Sequence, residues 1–358
     1  MFENIRDSIS TGPWDRYAFA LGAVILAALL AVPFLTQNRY YIGLVFTTLM
    51  FITLATSWNM LSGFTGYISF GHAAFFGIGA YTGAILLGDY GISMYAAILI
   101  AGIVTVAVSL PVATATIRLS DTYFAIMMLV FAELLMNAAE NFDSLTGGIQ
   151  GFILPIGNTL QTTYLLMVVL AAVSVLTSYV IARSHLGLAL TAIRDDEQAA
   201  DALGLNTTKY KIFAFSTSAI YPGFAGAIAA IYWAYIDPST VFDVILSGDM
   251  MIMSVLGGMG TVVGPILGAS IINPLTTETQ AAYPFLHGIV FGTLFMILVL
   301  SIPDGVVPTF QRSGYRRRFV EALPSRLVPS GALSAESPSP DTPSPAQTGD
   351  LPEEEGDD

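Results

Sequence analysis

Residues 17–61 read YAFALGAVILAALLAVPFL, then TQNR, then YYIGLVFTTLMFITLATSWNML. The two outer runs, Tyr17–Leu35 and Tyr40–Leu61, are 19 and 22 residues long and carry no charge. About 20 apolar residues in a helix span the hydrocarbon of a bilayer, so this stretch reads as two transmembrane helices joined by a four-residue turn. A transmembrane β-strand would alternate apolar and polar residues instead. Outward from this pair, the same reading applies to Ile92–Ile117, Thr122–Ala139, Thr163–Ala182, Ile212–Ile236 and Phe285–Ile302. Three shorter runs, His72–Leu87, Val244–Leu256 and Thr261–Leu275, read as broken, tilted or re-entrant spans, which need a protein-lined setting. The expected fold is an all-α polytopic membrane protein with about ten transmembrane helices.

Composition agrees. Of the 358 residues, 54% are apolar and 11% charged, against about 25% charged in a soluble domain. So few charges cannot cover a water-facing surface. The net charge is −13, and residues 313–358 hold 9 of the 26 acids and 4 of the 13 bases. The remainder, nine bases against seventeen acids, is still at −8. Phosphate affinity needs clustered Lys and Arg, so a nucleic-acid partner is excluded. The absence of cysteine excludes disulfides and thiolate metal sites, and His72, His185 and His287 are too scattered for a metal motif.

Lys and Arg mark the cytoplasmic side. With the N-terminus inside and every segment crossing, twelve basic residues fall inside and only Arg39 falls outside. Arg118 joins the inner set only if His72–Leu87 crosses. The chain then divides into a cytoplasmic N-terminal segment 1–16, a membrane domain 17–305 and a cytoplasmic tail 306–358. The polar start before a long first span reads as a retained anchor rather than a cleaved signal. From about residue 327 the tail is rich in Ser, Pro, Asp and Glu, the composition of an acidic disordered segment.

Small residues recur at helical spacing. Gly79 and Gly83, and Gly260, Gly264 and Gly268, each share a helix face by this reading, and such faces let helices approach closely in lipid. Glycine clusters at 63–77 and 257–260 mark expected helix breaks. Ionisable groups inside the apolar runs are Glu133, Asp249, His72 and His287, and a charge at membrane depth is a functional candidate by default. Ser62, Gly63 and Ser69, beside the first breaks, join His72, Glu133 and Asp249 as candidates for a translocation path. Their scarcity, and the absence of an Arg or Lys partner in the membrane, weigh against an ion-coupled carrier.

The largest inner loop, 183–211, carries Leu186, Leu190 and Ile193, then Ala199, Ala200 and Leu203, at helical spacing. Asp195, Asp196, Glu197 and Asp201 make its other side polar, and Gly204 is placed to end the helix. An amphipathic helix lying on lipid favours Lys and Arg on its polar face. This acidic one suits a protein partner better. The Gly-x-x-x-x-Gly-Lys-Ser/Thr loop does not occur, and Lys209 and Lys211 are the only lysines, so no nucleotide is hydrolysed by this chain in the usual way.

Three blocks resemble the permease subunits of bacterial and archaeal ABC importers for branched-chain amino acids, the LivH/LivM family and its LivM type in particular. They are Trp58-Asn59 through Gly63, Gly66, Ser69-Phe70-Gly71-His72 to Tyr81; Gly187 through Arg194-Asp195, Glu197, Ala199-Ala200 to Gly204 and Lys211 to Phe215; and Leu256-Gly257-Gly258 to Gly264-Pro265 with Thr146-Gly147-Gly148. The match runs from about residue 40 to 305.

The resemblance implies a coupling helix gripped by an ATPase subunit, with Arg194, Asp195, Glu197, Ala199, Ala200 and Gly204 as the coupling residues. Gln198 stands where the generic motif of such loops has Glu. It also implies a second, LivH-like permease, two LivG/LivF-like ATP-binding subunits and an extracytoplasmic substrate-binding protein. The outer loop 140–162 is a candidate meeting place for that protein. ATP and Mg would be bound by the partner subunits, and this chain, not itself an enzyme, holds no cofactor. The expected setting is the plasma membrane. A urea or short-amide permease of the same family, an ion-coupled secondary transporter and a structural scaffold stay open at this point.

Overall fold

The computed structural model describes residues 13–36, 38–154 and 159–283, with Gly292, Thr293 and Met296 beyond them. The expected tenth span Phe285–Ile302, apart from those three residues, lies outside the described residues. So do His287, residues 1–12 and the tail from 306.

Helices dominate. They are α1 (Pro13–Leu35), α2 (Arg39–Trp58), α3 (His72–Gly88), α4 (Met94–Thr116), α5 (Asp121–Asn141), the short α6 (Asp143–Thr146) and α7 (Leu160–Ala182). Then follow α8 (His185–Asp195), α9 (Glu197–Ala202), α10 (Thr207–Trp233), the short α11 (Pro238–Val241), α12 (Val244–Gly258) and α13 (Val263–Ala282). Six stretches among the described residues are long and apolar enough to cross a membrane: α2 with its terminal turn, α4, α5, α7, α10, and α11–α12 taken together. Two shorter apolar helical pieces, Val24–Leu35 and His72–Gly88, accompany them.

Local chemistry sets the helix starts. Asn38 caps α2 by accepting from the Tyr40 N–H, Asn206 caps α10 through Lys209, and Asp243 caps α12 through Ile245. Asp237 caps α11, with Pro238 at the first helical position where its missing N–H costs nothing. α2 ends in a wider π-turn over Asn59–Gly63, then the chain doubles back before α3 begins. Such turns free backbone groups inside a helix and mark functional joints.

Several boundaries differ from the sequence reading; α13, expected to be short, runs on to Ala282 past Leu275. Residues 13–16 join α1 rather than a separate polar segment, and α10 starts at Thr207, so Lys209 and Lys211 belong to its first turns and not to the loop. At its far end, Ala234 ends α10 in the left-handed conformation (φ 59°), and Tyr235–Ile236 is a strand, not helix. That strand, β2, pairs antiparallel with β1 (Phe152–Ile153), Phe152 opposite Ile236.

The core centres on α10, packed against α3, α4 and α2. Close approach is written in glycine. A Cβ on Gly79 would lie 2.0 Å from the Gly223 carbonyl oxygen of α10, and one on Gly83 would lie 2.8 Å from the Ala227 methyl. Large side chains fill the rest: Phe46 stacks on Tyr232 at 3.8 Å between ring centres, and Trp58, Phe75, Phe76 and Phe215 are fully buried. Polar glue crosses between helices as well. The Ser57 hydroxyl donates to the Ser218 carbonyl (2.6 Å), that of Ser254 to Ala55 (2.9 Å), and Asn273 to the Thr48 hydroxyl (2.9 Å). In an apolar solvent such bonds have few competitors.

The connections gather into two groups. Loops 59–71, 117–120, 183–206 and 259–262 meet through Gly63, Tyr67, Ile117, Arg194 and Gly260. At the other group, β1–β2 joins the 142–159 and 234–243 connections, and Phe152 covers Gly88 at the end of α3.

Candidate functional site

The 183–211 stretch forms two helices, not the single one read over 186–204. Asp196 breaks them: its backbone is extended (φ −159°, ψ 106°), and its carboxylate caps α9 by accepting from the Ala199 N–H at 2.9 Å. The polar pattern hid this, because a capping Asp looks like any residue of a polar face. Gly204 follows α9 in the left-handed region (φ 87°), its N–H bonded to the Asp201 carbonyl.

α8 lies tight under the membrane part. Ser184 caps it, and a Cβ on Gly187 would stand 2.3 Å from the Ile181 carbonyl oxygen. Ala189, Leu190 and Ile193 are buried. Arg194 then reaches inward. Its Nη1 donates to the Gly63 carbonyl at 2.8 Å, and its chain runs past Gly66 and Gly260, where any added Cβ would meet it at 3.4 Å and 2.3 Å. Both glycines have positive φ. Asn59 completes this joint: its amide donates to the Thr261 carbonyl (2.9 Å) and its Oδ1 accepts from the Gly260 N–H (2.8 Å). The two turns with unusual backbone, 59–66 and 258–261, are thereby stitched to each other and to α8.

Glu197 also turns inward. Its carboxylate accepts from the Tyr67 hydroxyl (2.6 Å) and from the Lys211 ammonium. Lys211, only 3% exposed, donates further to the Tyr67 oxygen (3.0 Å) and to the Ile117 carbonyl (3.2 Å). Burial works against the Glu197 carboxylate. The hydrogen bonds from Lys211 and Tyr67, with the ammonium charge, outweigh it and hold the carboxyl below the usual carboxylate range. Burial first, and the Glu197 carboxylate after it, push the Tyr67 phenol well above its usual range. This cluster ties α9, α10, the α2–α3 connection and the end of α4 together.

The six residues assigned to coupling therefore split. Glu197 and Ala200 (2% exposed) face the membrane part, and Arg194, exposed along much of its side chain, reaches it with its guanidinium. Asp195, Ala199 and Gly204 face outward, beside Leu203 at 84% exposure and Leu188 at 63%. The outward surface is acidic with apolar points and has no neighbour among the described residues.

The six path candidates do not converge either. Ser62, Gly63, Ser69 and His72 form one knot at the α2–α3 joint, with both serines and His72 fully buried. Ser62 Oγ accepts from the Ser69 N–H (3.3 Å), Ser69 Oγ lies 3.1 Å from His72 Nδ1, and the Ser69 carbonyl accepts from Trp58 Nε1 (2.8 Å). A Cβ on Gly63 would strike Asn59 and the Gly260 N–H. These groups satisfy one another, His72 Nε2 excepted. The knot is a hinge-like joint and no open lining. Asp249 lies in the second turn of α12 and Glu133 midway along α5, and no hydrogen bond or ion pair joins them to the knot. Of the packing glycines, Gly264 and Gly268 do press on α12, at the Gly258 and Met253 carbonyls. Gly260 does not belong with them: it precedes α13, in the turn (φ 80°) under Arg194.

Tyr67, Asn59 and Lys211 carry much of this site without having been singled out for it. Lys211 had a legible signal, being one of two lysines in the chain and standing at the head of an apolar run.

The chain is similar to the high-affinity branched-chain amino acid transport system permease protein LivM of Escherichia coli, 28% identical over 321 residues, spanning 81% of this chain and 74% of that protein. LivM of Salmonella typhimurium is 27% identical over the same shares. The autoinducer 2 import system permease protein LsrC of Yersinia enterocolitica is 27% identical over 183 residues, 49% of this chain and 47% of its own. No solved structure matches. The family model described as branched-chain amino acid transport system / permease component matches residues 40–300, and the chain belongs to that family.

Proposed function

We propose that the chain is the membrane-spanning permease subunit of an ABC importer, carrying leucine, isoleucine and valine across the plasma membrane. One observation carries the reading: α8 and α9 are held from within, by Arg194 on Gly63 and by the Glu197–Lys211–Tyr67 cluster, while their outer surface has no neighbour among the described residues. A segment so built can pass a push on its outer face into the glycine-rich turns 59–66 and 258–261, where α2, α3, α12 and α13 begin or end. ATP and Mg act in two LivG/LivF-like subunits, one of which grips that outer face. A LivH-like permease completes the membrane part, and an extracytoplasmic binding protein delivers the substrate. The chain works as a transport subunit, not an enzyme.

The reading includes a ten-span topology with both termini inside, which the distribution of basic residues supports. Arg118, Arg183, Arg194, Lys209 and Lys211 all sit at the end where the α8–α9 pair docks, and Arg39 stands at the start of α2, at the opposite end. The membrane domain then runs from α1 to about residue 305, with 306–358 a cytoplasmic tail.

Reconstitution with the partner subunits tests it. ATP-dependent uptake of leucine, competed by isoleucine and valine, is expected. Uptake of urea in its place would move the substrate to short amides. Leucine uptake that needs no ATP-binding subunit would overturn the reading in favour of a secondary transporter.

A further inference from the structure

Of the six long apolar stretches, α5 is the least covered, with 22% of its apolar part buried against 39% to 67% in the others. It packs by one face only, through the buried Phe124, Met128, Ala132 and Ala139. The exposed faces of α4 and α7 are apolar through their middles: Leu99 and Ile103 on one, Val169, Val173 and Leu176 on the other. Those faces suit lipid. The open face of α5 starts the same way, with Tyr123, Ile126 and Val130 exposed, and is mixed in its second half, where Leu134 is 58% exposed beside polar residues. Glu133, Asn137, Glu140 and Asn141 follow at i, i+4, i+7 and i+8, a single helical stripe. Asn137 and Asn141 are exposed, and Glu133 and Glu140 half-buried.

Few hydrogen bonds join the stripe to other described residues. Among the described residues, Asn137 donates to the Glu133 backbone carbonyl (2.8 Å) and Asn141 to that of Asn137 (2.7 Å), and neither amide oxygen accepts a hydrogen bond. The Glu133 carboxylate has no hydrogen bond or ion pair among the described residues. Glu133 is the thirteenth of 21 residues of α5, two residues past its centre toward the 142–159 connection. A carboxylate near mid-helix with an amide one turn beyond it is costly against lipid, and such groups line water-filled or polar passages; Glu140 and Asn141 stand in the last turn of the helix.

We propose that this face of α5 lines the substrate path, and that Glu133 meets the α-ammonium group of the passing amino acid. The inference rests on the importer reading and adds to it a residue and the substrate group it recognises. An acid at half-depth suits a zwitterion whose side chain is apolar, because the ammonium is the one positive group to be desolvated. The amides of Asn137 and Asn141 offer neutral stations between Glu133 and the 142–159 connection. Urea carries no such cation and gains nothing from the carboxylate.

Two arms test the proposal in the full complex, in liposomes with its binding protein. In the first, leucine uptake is measured for Glu133→Gln and Glu133→Asp. Loss of one charge-assisted hydrogen bond predicts about tenfold slower uptake for Glu133→Gln at subsaturating leucine, partly recovered in Glu133→Asp, with both variants still copurifying with the ATP-binding subunits. Uptake by Glu133→Gln within twofold of the unaltered complex would overturn the role of Glu133. The second arm uses the absence of native cysteine. Single cysteines at 133, 137 and 141 should react with a water-borne methanethiosulfonate ammonium reagent, and Val173→Cys, on the apolar face of α7, should not. Equal protection of all four positions would put the stripe against lipid or protein and overturn the path. If the unaltered complex imports no leucine, the importer reading itself fails, while the labelling arm still decides whether this face is wet.

Discussion

Lys211 shows how one residue organises the docking site. Its ammonium is buried and shared among Glu197, the Tyr67 hydroxyl and the Ile117 carbonyl. Removing one partner of a buried pair leaves the other desolvated and alone, at a cost of about 3–5 kcal/mol when fully buried. Glu197 keeps 34% of its side chain exposed, so Lys211→Met should destabilise the folded chain by less, about 2 kcal/mol. Adding Glu197→Gln should recover part of that loss. Thermal unfolding of the detergent-solubilised single and double variants reads both effects, and strictly additive losses would show that no pair exists. The pH dependence has a sign. Because the Glu197 carboxyl is held below its ordinary range, its contribution is in full force above the unfolded value of about 4.3 and is lost as pH falls through the folded value. Lys211→Met should flatten the acid limb of the stability curve. At Gly79, a Cβ would meet the Gly223 carbonyl oxygen at 2.0 Å, against backbone that cannot swing aside. Gly79→Val should therefore lower the yield of folded protein sharply, and Gly248→Ala, with open space around it, should not.

At the scale of elements, the α8–α9 pair separates two kinds of change that the sequence placed together. Ala199 and Leu203 face outward, and Ala200 faces the membrane part. Ala199→Arg and Leu203→Asp should abolish copurification with the ATP-binding subunits while the protein inserts and melts normally. Ala200→Arg should lower the melting temperature instead. If all three behave alike, the outer face is not the docking surface. Hydrophobic spacing had shown that this loop is helical, and Gly204 had marked its end, because both signals are local. The break at Asp196 and the inward turn of Glu197 were not legible, since they depend on Tyr67 and Lys211, 130 residues before and 14 after Glu197. The same limit explains Gly260. Its four-residue spacing from Gly264 fits a helix face, but the carbonyl and guanidinium around it hold it in a turn. Gly79 and Gly83, whose spacing is interrupted by nothing, lie on one face as read.

For the whole molecule, long apolar runs were the most legible feature, because a bilayer demands length and apolarity and little else. Starts and ends of spans agreed to within a few residues except at the beginning of α10, which Lys209 and Lys211 disguised as loop, and at the end of α13, where the polar run Thr276–Gln280 hid seven further helical residues. Which faces meet protein and which meet lipid was not legible, and the exposed stripe on α5 emerged only once the packed face was known. The broken elements, the π-turn at 59–63 and the short α12, sit where Arg194 and Asn59 hold them. This suits a mechanism in which movement of α8–α9 is transmitted to the ends of α2, α3, α12 and α13 as one unit.

That mechanism requires α8–α9 to lie inside the cell, against the ATP-binding subunits. A single cysteine placed at Asp196, in a chain that has none of its own, tests the requirement with a membrane-impermeant maleimide. The account predicts no labelling in intact cells, ready labelling in inverted vesicles, and protection there when the ATP-binding subunits are present. Labelling of Asp196→Cys from outside intact cells would contradict it.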